Sequence, residues 1–205
     1  MTTYPRIIHR IAAGSAALLV SGATMLGGSA TASAAAASAT NCGGYTQTTA
    51  TAAGYNTIPD TNFTNGTSGK DWITGTAGSG DVLNGGGGDD IICTSGGADF
   101  LYGGPGNDTL VLGDDGATGE GDSGDDVIHG GGGPDTEYGD SPASGNGAAG
   151  DGNDTLWGGS DGDKLYGNGG NDTLKGGQPA TSPGDTGDGG DGTDSCISIE
   201  APTSC

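Results

Sequence analysis

Large aliphatic residues enter the middle of the chain one at a time, each two positions after an aspartate. Asp71-Trp72-Ile73, Asp81-Val82-Leu83, Asp90-Ile91-Ile92, Asp99-Phe100-Leu101 and Asp108-Thr109-Leu110 open the series. Asp126-Val127-Ile128, Asp154-Thr155-Leu156, Asp163-Lys164-Leu165 and Asp172-Thr173-Leu174 continue it. The aspartates are spaced by 10, 9, 9, 9, 18, 28, 9 and 9 residues. The gap of 28 contains Asp135, nine residues after Asp126, with Glu137 where the aliphatic belongs. Side chains alternate between the faces of a strand, so the three residues around each aliphatic predict a short strand with that side chain inward. Ile73, Leu83, Ile92, Leu101, Leu110, Ile128, Leu156, Leu165 and Leu174 are the expected core. The Gly-rich residues between strands predict tight turns, because Gly takes positive φ at no steric cost. A unit this short cannot bury its apolar face alone, so the repeat has to stack on itself.

Composition sharpens this reading. Gly supplies 48 of 205 residues and apolar residues only 31%, too few for an ordinary two-layer core. All 26 acidic residues lie at or after Asp60, and only Lys70, Lys164 and Lys175 are basic beyond position 39. Nucleic acid is excluded as a partner, because phosphate binding needs clustered Lys or Arg. A bare chain this acidic and Gly-rich would be disordered, so folding calls for a cation.

The cleanest units are Gly103-Gly104-Pro105-Gly106-Asn107-Asp108-Thr109-Leu110-Val111 and Gly85-Gly86-Gly87-Gly88-Asp89-Asp90-Ile91-Ile92-Cys93. Their pattern, G-G-x-G-x-D-x-U-x, resembles the repeats-in-toxin (RTX) nonapeptide of calcium-binding parallel β-rolls. The resemblance covers Gly66 to Lys175 and fits twelve slots, ten of them with the aspartate. It implies an all-β fold, a right-handed parallel β-roll with two nonapeptides per turn and Ca²⁺ between loops 18 residues apart. Asp71, Asp81, Asp90, Asp99, Asp108, Asp126, Asp135, Asp154, Asp163 and Asp172 are the implied ligands, together with carbonyls of the Gly-rich loops. The pairs Asp71–Asp90, Asp81–Asp99, Asp90–Asp108, Asp108–Asp126, Asp135–Asp154 and Asp154–Asp172 make about six sites. The chemistry agrees without the family: Ca²⁺ takes 6–8 oxygen ligands from flexible loops, and clustered His or Cys for zinc, copper or iron is absent from the sequence.

Two slots depart from the pattern. Residues 112–120 carry Ala117 for the aspartate and Gly119 for the aliphatic; residues 139–148 hold Ser144 at the aspartate slot and are one residue longer. The coil is expected to continue through both, with a weak or empty site beside each. Asp114, Asp115, Asp122 and Asp151 lie near these gaps.

The flanks complete the expectation. Residues 1–39 read as a secretory signal: basic Arg6, His9 and Arg10, an apolar stretch from Ile11 to about Leu26, then Ala37-Ser38-Ala39 as the cleavage site, with Ala32-Ser33-Ala34 the alternative. No membrane span is expected after cleavage, and the product is expected outside the cell. Export makes Cys42, Cys93, Cys196 and Cys205 disulfide candidates with three possible pairings. Cys42–Cys93 with Cys196–Cys205 is the expected one, the first tying the N-terminal segment to the body and the second closing a local loop. Residues 40–65 are expected to cap the roll, which spans 66–175. Residues 176–205 are expected to form a Gly/Pro/Asp linker and a closed end, where Gly189 to Cys196 restarts the motif with Cys196 in the aliphatic slot.

Ser123 and Ser160 sit in strings that look like hydrolase nucleophile motifs, but both fall inside repeat loops and His129 is the only histidine after the signal segment. The expected function is non-enzymatic calcium binding. Tyr102, Tyr138, Trp157 and Tyr166 all occupy the ninth slot and should face outward, which leaves a surface-adhesion or carbohydrate-binding module as the alternative.

Overall fold

The computed structural model describes residues 42, 44, 46–58, 62–142, 150–177 and 184–205. The expected signal segment, with both cleavage sites, lies outside the described residues.

Sixteen strands form two parallel sheets of eight among the described residues. One sheet runs β1 (Asn56–Ile58), β3 (Asp71–Thr74), β5 (Ile91–Cys93), β7 (Thr109–Gly113), β9 (Val127–Gly131), β11 (Thr155–Gly159), β13 (Thr173–Gly177) and β15 (Ser195–Ile197). The other runs β2 (Phe63–Asn65), β4 (Val82–Asn84), β6 (Phe100–Pro105), β8 (Thr118–Ser123), β10 (Thr136–Asp140), β12 (Lys164–Tyr166), β14 (Thr186–Asp188) and β16 (Ala201–Thr203). Consecutive strands therefore alternate between sheets, and each pairs in parallel with the strand two further on. This is a β-solenoid with two strands per turn. Its turns hold register because slots stack like on like: Ile73 on Ile92, Ile92 on Leu110, Leu156 on Leu174.

The nine expected aliphatics are all fully buried between the sheets. Leu112 joins them, also fully buried, and Ala117 packs beside it. Leu112 sits where other turns carry a glycine, and its methyls lie 3.1–3.5 Å from the point where a Cβ on Gly119 would stand. The leucine thus fills the space left by a missing aliphatic in β8.

The 112–120 slot is a genuine half-turn, as expected. The 139–148 slot is not. Thr155 of β11 pairs directly with Val127 of β9, and Lys164 of β12 with Thr136 of β10, so among the described residues no strand of either sheet stands between β10 and β11. The 28-residue gap is one ordinary 18-residue turn with ten residues inserted, and an insertion of nearly one repeat length imitates a slot when spacings are counted. Ser144 itself lies outside the described residues.

Strands also continue past both ends of 66–175. β1 and β2 build a first turn from residues assigned to the cap, and β14 falls within the span read as linker. A six-residue helix, α1 (Gln47–Ala52), precedes them, closed by a Thr46–Thr49 capping box. Its Ala50 packs with Cys42, Trp72, Ile91 and Cys93 in a second apolar cluster. Disulfides join Cys42 to Cys93 and Cys196 to Cys205.

Candidate metal centre

The alternation of sheets sorts the aspartates onto two edges. Turns leading into the β1-containing sheet carry Asp71, Asp90, Asp108, Asp126, Asp154, Asp172 and Asp194. Turns leading into the other sheet carry Asp81, Asp99, Ala117, Asp135, Asp163, Asp185 and Glu200.

Along each edge one oxygen of every aspartate is committed to the fold. The backbone N–H of Asp90 donates to Asp108 Oδ1 at 2.7 Å, that of Asp108 to Asp126 at 2.7 Å, and that of Asp126 to Asp154 at 2.8 Å. Across the other edge, Ala117 N–H donates to Asp135 Oδ1 at 2.8 Å and Asp135 N–H to Asp163 Oδ1 at 2.9 Å. Each carboxylate therefore pins the next turn in register. The expected pairs Asp71–Asp90, Asp81–Asp99, Asp90–Asp108, Asp108–Asp126 and Asp154–Asp172 are neighbours in these ladders. Asp135 and Asp154 are not: they lie on opposite edges, because the ten extra residues between β10 and β11 lengthen the spacing by about one slot without adding a half-turn to the sheets.

The second oxygen separates the ten expected residues into two groups. Asp71 Oδ2 accepts from Thr67 N–H at 2.6 Å and Thr67 Oγ1 at 2.9 Å, and Asp81 Oδ2 accepts from Thr76 N–H at 2.7 Å. Oδ2 of Asp90, Asp99, Asp108, Asp126, Asp135, Asp154, Asp163 and Asp172 is buried without a hydrogen-bond partner. Leaving one such oxygen unsatisfied costs about 1–3 kcal/mol and more when charged, so eight in register call for a counter-charge.

Glycines make the room. A methyl group on Gly103 would collide with Asp108 Oδ2 and meet the carbonyl oxygen of Gly121 at 2.7 Å; one on Gly158 would collide with Asp163 Oδ2 and meet the carbonyl oxygen of Gly176 at 2.7 Å. Gly85, Gly121, Gly139 and Gly167 stand in the same relation to Asp90, Asp126, Asp154 and Asp172. Each missing side chain leaves a space faced by an unpartnered carboxylate oxygen and a carbonyl of the next turn. Hard oxygen donors of this kind, part carboxylate and part carbonyl, fit Ca²⁺. Among the described residues no three acidic, His or Cys side chains converge on one point, so most ligands have to come from the backbone, which a Gly-rich turn exposes.

Burial dominates the electrostatics. It pushes the carboxyl of Asp126 up to about 9 and that of Asp154 to about 8, against the backbone hydrogen bonds that pull them down. Asp108, Asp135 and Asp163 rise to about 7, and Asp90 and Asp172 to about 6, for the same first cause.

Asp140, Asp185 and Glu200 are not legible in the spacing, whereas Asp151 beside the gap and Asp194 in the restarted motif are. Asp140 is buried with an unpartnered Oδ2, as is Asp151 Oδ2 across the insertion, and burial raises Asp140 to about 7. Its signal was a Gly-Asp pair at the head of the insertion, hidden by the miscounted slot. Asp185, Asp194 and Glu200 extend the ladders through Asp163 N–H, Asp172 N–H and Asp185 N–H. Ser123 is the last residue of β8 and Ser160 follows β11, and the ring of His129 packs edge-on against Trp157 at 4.3 Å.

The chain matches the family model described as RTX calcium-binding nonapeptide repeat (4 copies) over residues 65–100, 78–110, 85–118, 111–141 and 148–178. No curated protein and no solved structure matches it significantly.

Proposed function

The chain belongs to the family of RTX calcium-binding nonapeptide repeats, and from that premise we propose a secreted, non-enzymatic protein whose roll folds on meeting extracellular Ca²⁺. The observation that carries this reading is the set of eight buried Oδ2 oxygens without a partner, seven of which, all but that of Asp99, face a glycine-made space and a carbonyl. Asp90, Asp99, Asp108, Asp126, Asp135, Asp154, Asp163 and Asp172 would hold the ions. Asp71 and Asp81, whose free oxygens are taken up by Thr67 and Thr76, would close the first turns without metal. Bound Ca²⁺ supplies the positive charge that lets adjacent carboxylates stay ionised in the interior.

Without it, the chain from residue 40 carries −23 and the ladder oxygens are desolvated and mutually repelling. Each ion would fasten neighbouring turns, so folding propagates along the solenoid. Two disulfides suit an oxidising compartment. The test is a calcium titration of the mature chain, disulfides intact, followed by circular dichroism and hydrodynamic radius. The expected result is a steep gain of β-structure with a fall in radius at ~10⁻⁴–10⁻³ M, and little response to Mg²⁺. An unchanged β signal and radius after chelation would overturn calcium-driven folding.

A second reading rests on the outward aromatics. Tyr138 and Tyr166 stack at 5.0 Å, while Trp157 is 41% exposed with Lys175 Nζ 4.7 Å over its ring. Tyr138 and Tyr166 lie in one sheet and Trp157 in the other, so a glycan-binding or adhesive face would use one set, and binding to a glycan array in calcium that is lost on replacing Tyr138 and Tyr166, or on replacing Trp157, would favour it. The lysine over Trp157 already covers a face that a sugar would need.

A further inference from the structure

Glu137 is the one acidic residue among the aliphatic slots. It lies in β10, stacked between Gly119 of β8 and Leu165 of β12, and is fully buried. Neither of its carboxylate oxygens has a hydrogen-bond partner. An isolated buried carboxylate with two unpartnered oxygens is among the most costly groups a fold can carry, and leucine at this slot, as in the neighbouring strands, would carry no such cost.

Its side chain does not simply fill the interior. A methyl group on Gly130 would meet Asp135 Oδ2 at 2.5 Å and Glu137 Oε1 at 2.7 Å, and would collide with the carbonyl oxygen of Gly158. Three oxygens from three strands or turns therefore gather around the space Gly130 leaves open. Two ligands of one Ca²⁺, each at about 2.3–2.6 Å, can stand up to roughly 5 Å apart, and the two carboxylate oxygens lie within that span. Elsewhere on the edges the same space is faced by a single carboxylate.

We infer that Glu137 is an additional cation ligand, which makes the Asp135 turn a two-carboxylate site set apart from the one-carboxylate sites of the other turns. The inference rests on the calcium reading above and adds to it a residue that the repeat pattern assigns to the core. The second carboxylate offsets the ligand missing from the preceding turn of the same edge, where Ala117 stands in the aspartate slot. Greater ligand charge should make this the tightest site in the roll, and the first to fill.

The experiment counts ions bound per chain by equilibrium dialysis with Ca²⁺, and follows β-structure alongside, in the full mature chain and in Glu137→Gln and Glu137→Leu. Leucine matches the neighbouring slots, so the second variant folds in calcium. The expected result is that both variants bind one ion fewer, or lose the tightest step of the isotherm by about tenfold or more, while reaching the wild-type β signal in excess calcium. Glu137→Leu should in addition keep more β-structure than wild type after chelation. Unchanged ion count and unchanged tightest affinity in both variants would overturn the role of Glu137 while leaving the calcium reading intact. Failure of the wild-type chain to bind Ca²⁺ at all would overturn the calcium reading itself.

Discussion

The two edges of the roll solve the same geometric problem differently. On the Asp71 edge, aspartates follow without a break from Asp71 to Asp194, and a glycine opens the space beside each of Asp90, Asp108, Asp126, Asp154 and Asp172. On the Asp81 edge the series breaks at Ala117, and the glycine that should face it is Leu112. Aspartate and glycine are absent together, and Gly119 stands at the aliphatic slot of the same half-turn. At this half-turn neither half of a metal site is present. A carboxylate without its glycine would be buried against carbon; a glycine without its carboxylate would leave a void. Leu112 and Ala117 turn the position into ordinary core, and the half-turn keeps its register through Ala117 N–H to Asp135. One turn later, Asp135 and Glu137 concentrate two carboxylates where the rest of the edge has one.

The largest test of this pairing is to restore half of it. Ala117→Asp should cost roughly 3 kcal/mol or more, since Leu112 occupies the space the carboxylate needs and no cation can reach it. Adding Leu112→Gly should recover part of that loss in calcium but none of it after chelation. Thermal unfolding with and without Ca²⁺ reads both, and a single variant as stable as wild type would break the comparison.

A smaller effect separates the middle of the unbroken edge from its ends. A carboxyl raised by burial is neutral in the fold at a pH where the unfolded chain has ionised it. Its protonation therefore favours the metal-free roll fully below the ordinary value near 3.8, and that support is lost as pH rises through the raised value, about 6 for Asp90 and Asp172 and about 9 for Asp126. In chelator, β-structure should grow as pH falls from about 9 toward about 6. In calcium the midpoint should move the opposite way, to higher Ca²⁺, as protons compete for the same oxygens. A chelated β signal independent of pH over this window would show that the ladders carry no such penalty.

The smallest effect is expected away from both ladders. Lys70 Nζ contacts Asp89 Oδ2 at 2.6 Å, with both side chains about half exposed. Lys70→Ala should change stability by no more than ~1 kcal/mol and leave bound calcium unchanged by dialysis. A loss of a bound ion would place Lys70 and Asp89 in the metal sites and erase the distinction between ladder and surface.

Much of this was readable in the chain before any fold was seen. The inward aliphatics follow from the period, and the stacking of Asp90, Asp108 and Asp126 from the resemblance to the RTX nonapeptide; export makes the four cysteines disulfide candidates, and of three possible pairings the expected one is found. The insertion before Asp154 is not readable in the spacing, because ten extra residues advance the count by nearly one repeat while the sheets pair directly across them. Spacing therefore points Asp135 to Asp154, whereas in the fold its partner is Asp163, and it gives no sign of the buried Asp140. Leu112 was hidden for another reason: in one dimension it is an aliphatic out of phase, and only stacking shows that it fills two absences at once.

What the linear sequence determined by itself is periodic. A residue type repeated every nine positions meets itself in the next turn but one, so a short-range rule specifies a long-range ladder. What only the tertiary structure decided is what happens where the period fails. There, partners are set by which turns lie against each other in space, and a buried Asp Oδ2 is answered by Thr67 in one turn, left without a partner in the next, and joined by Glu137 further along. The reason is that burial is a property of three dimensions: a carboxylate acquires a need for a counter-charge only when the turns above and below it exclude water.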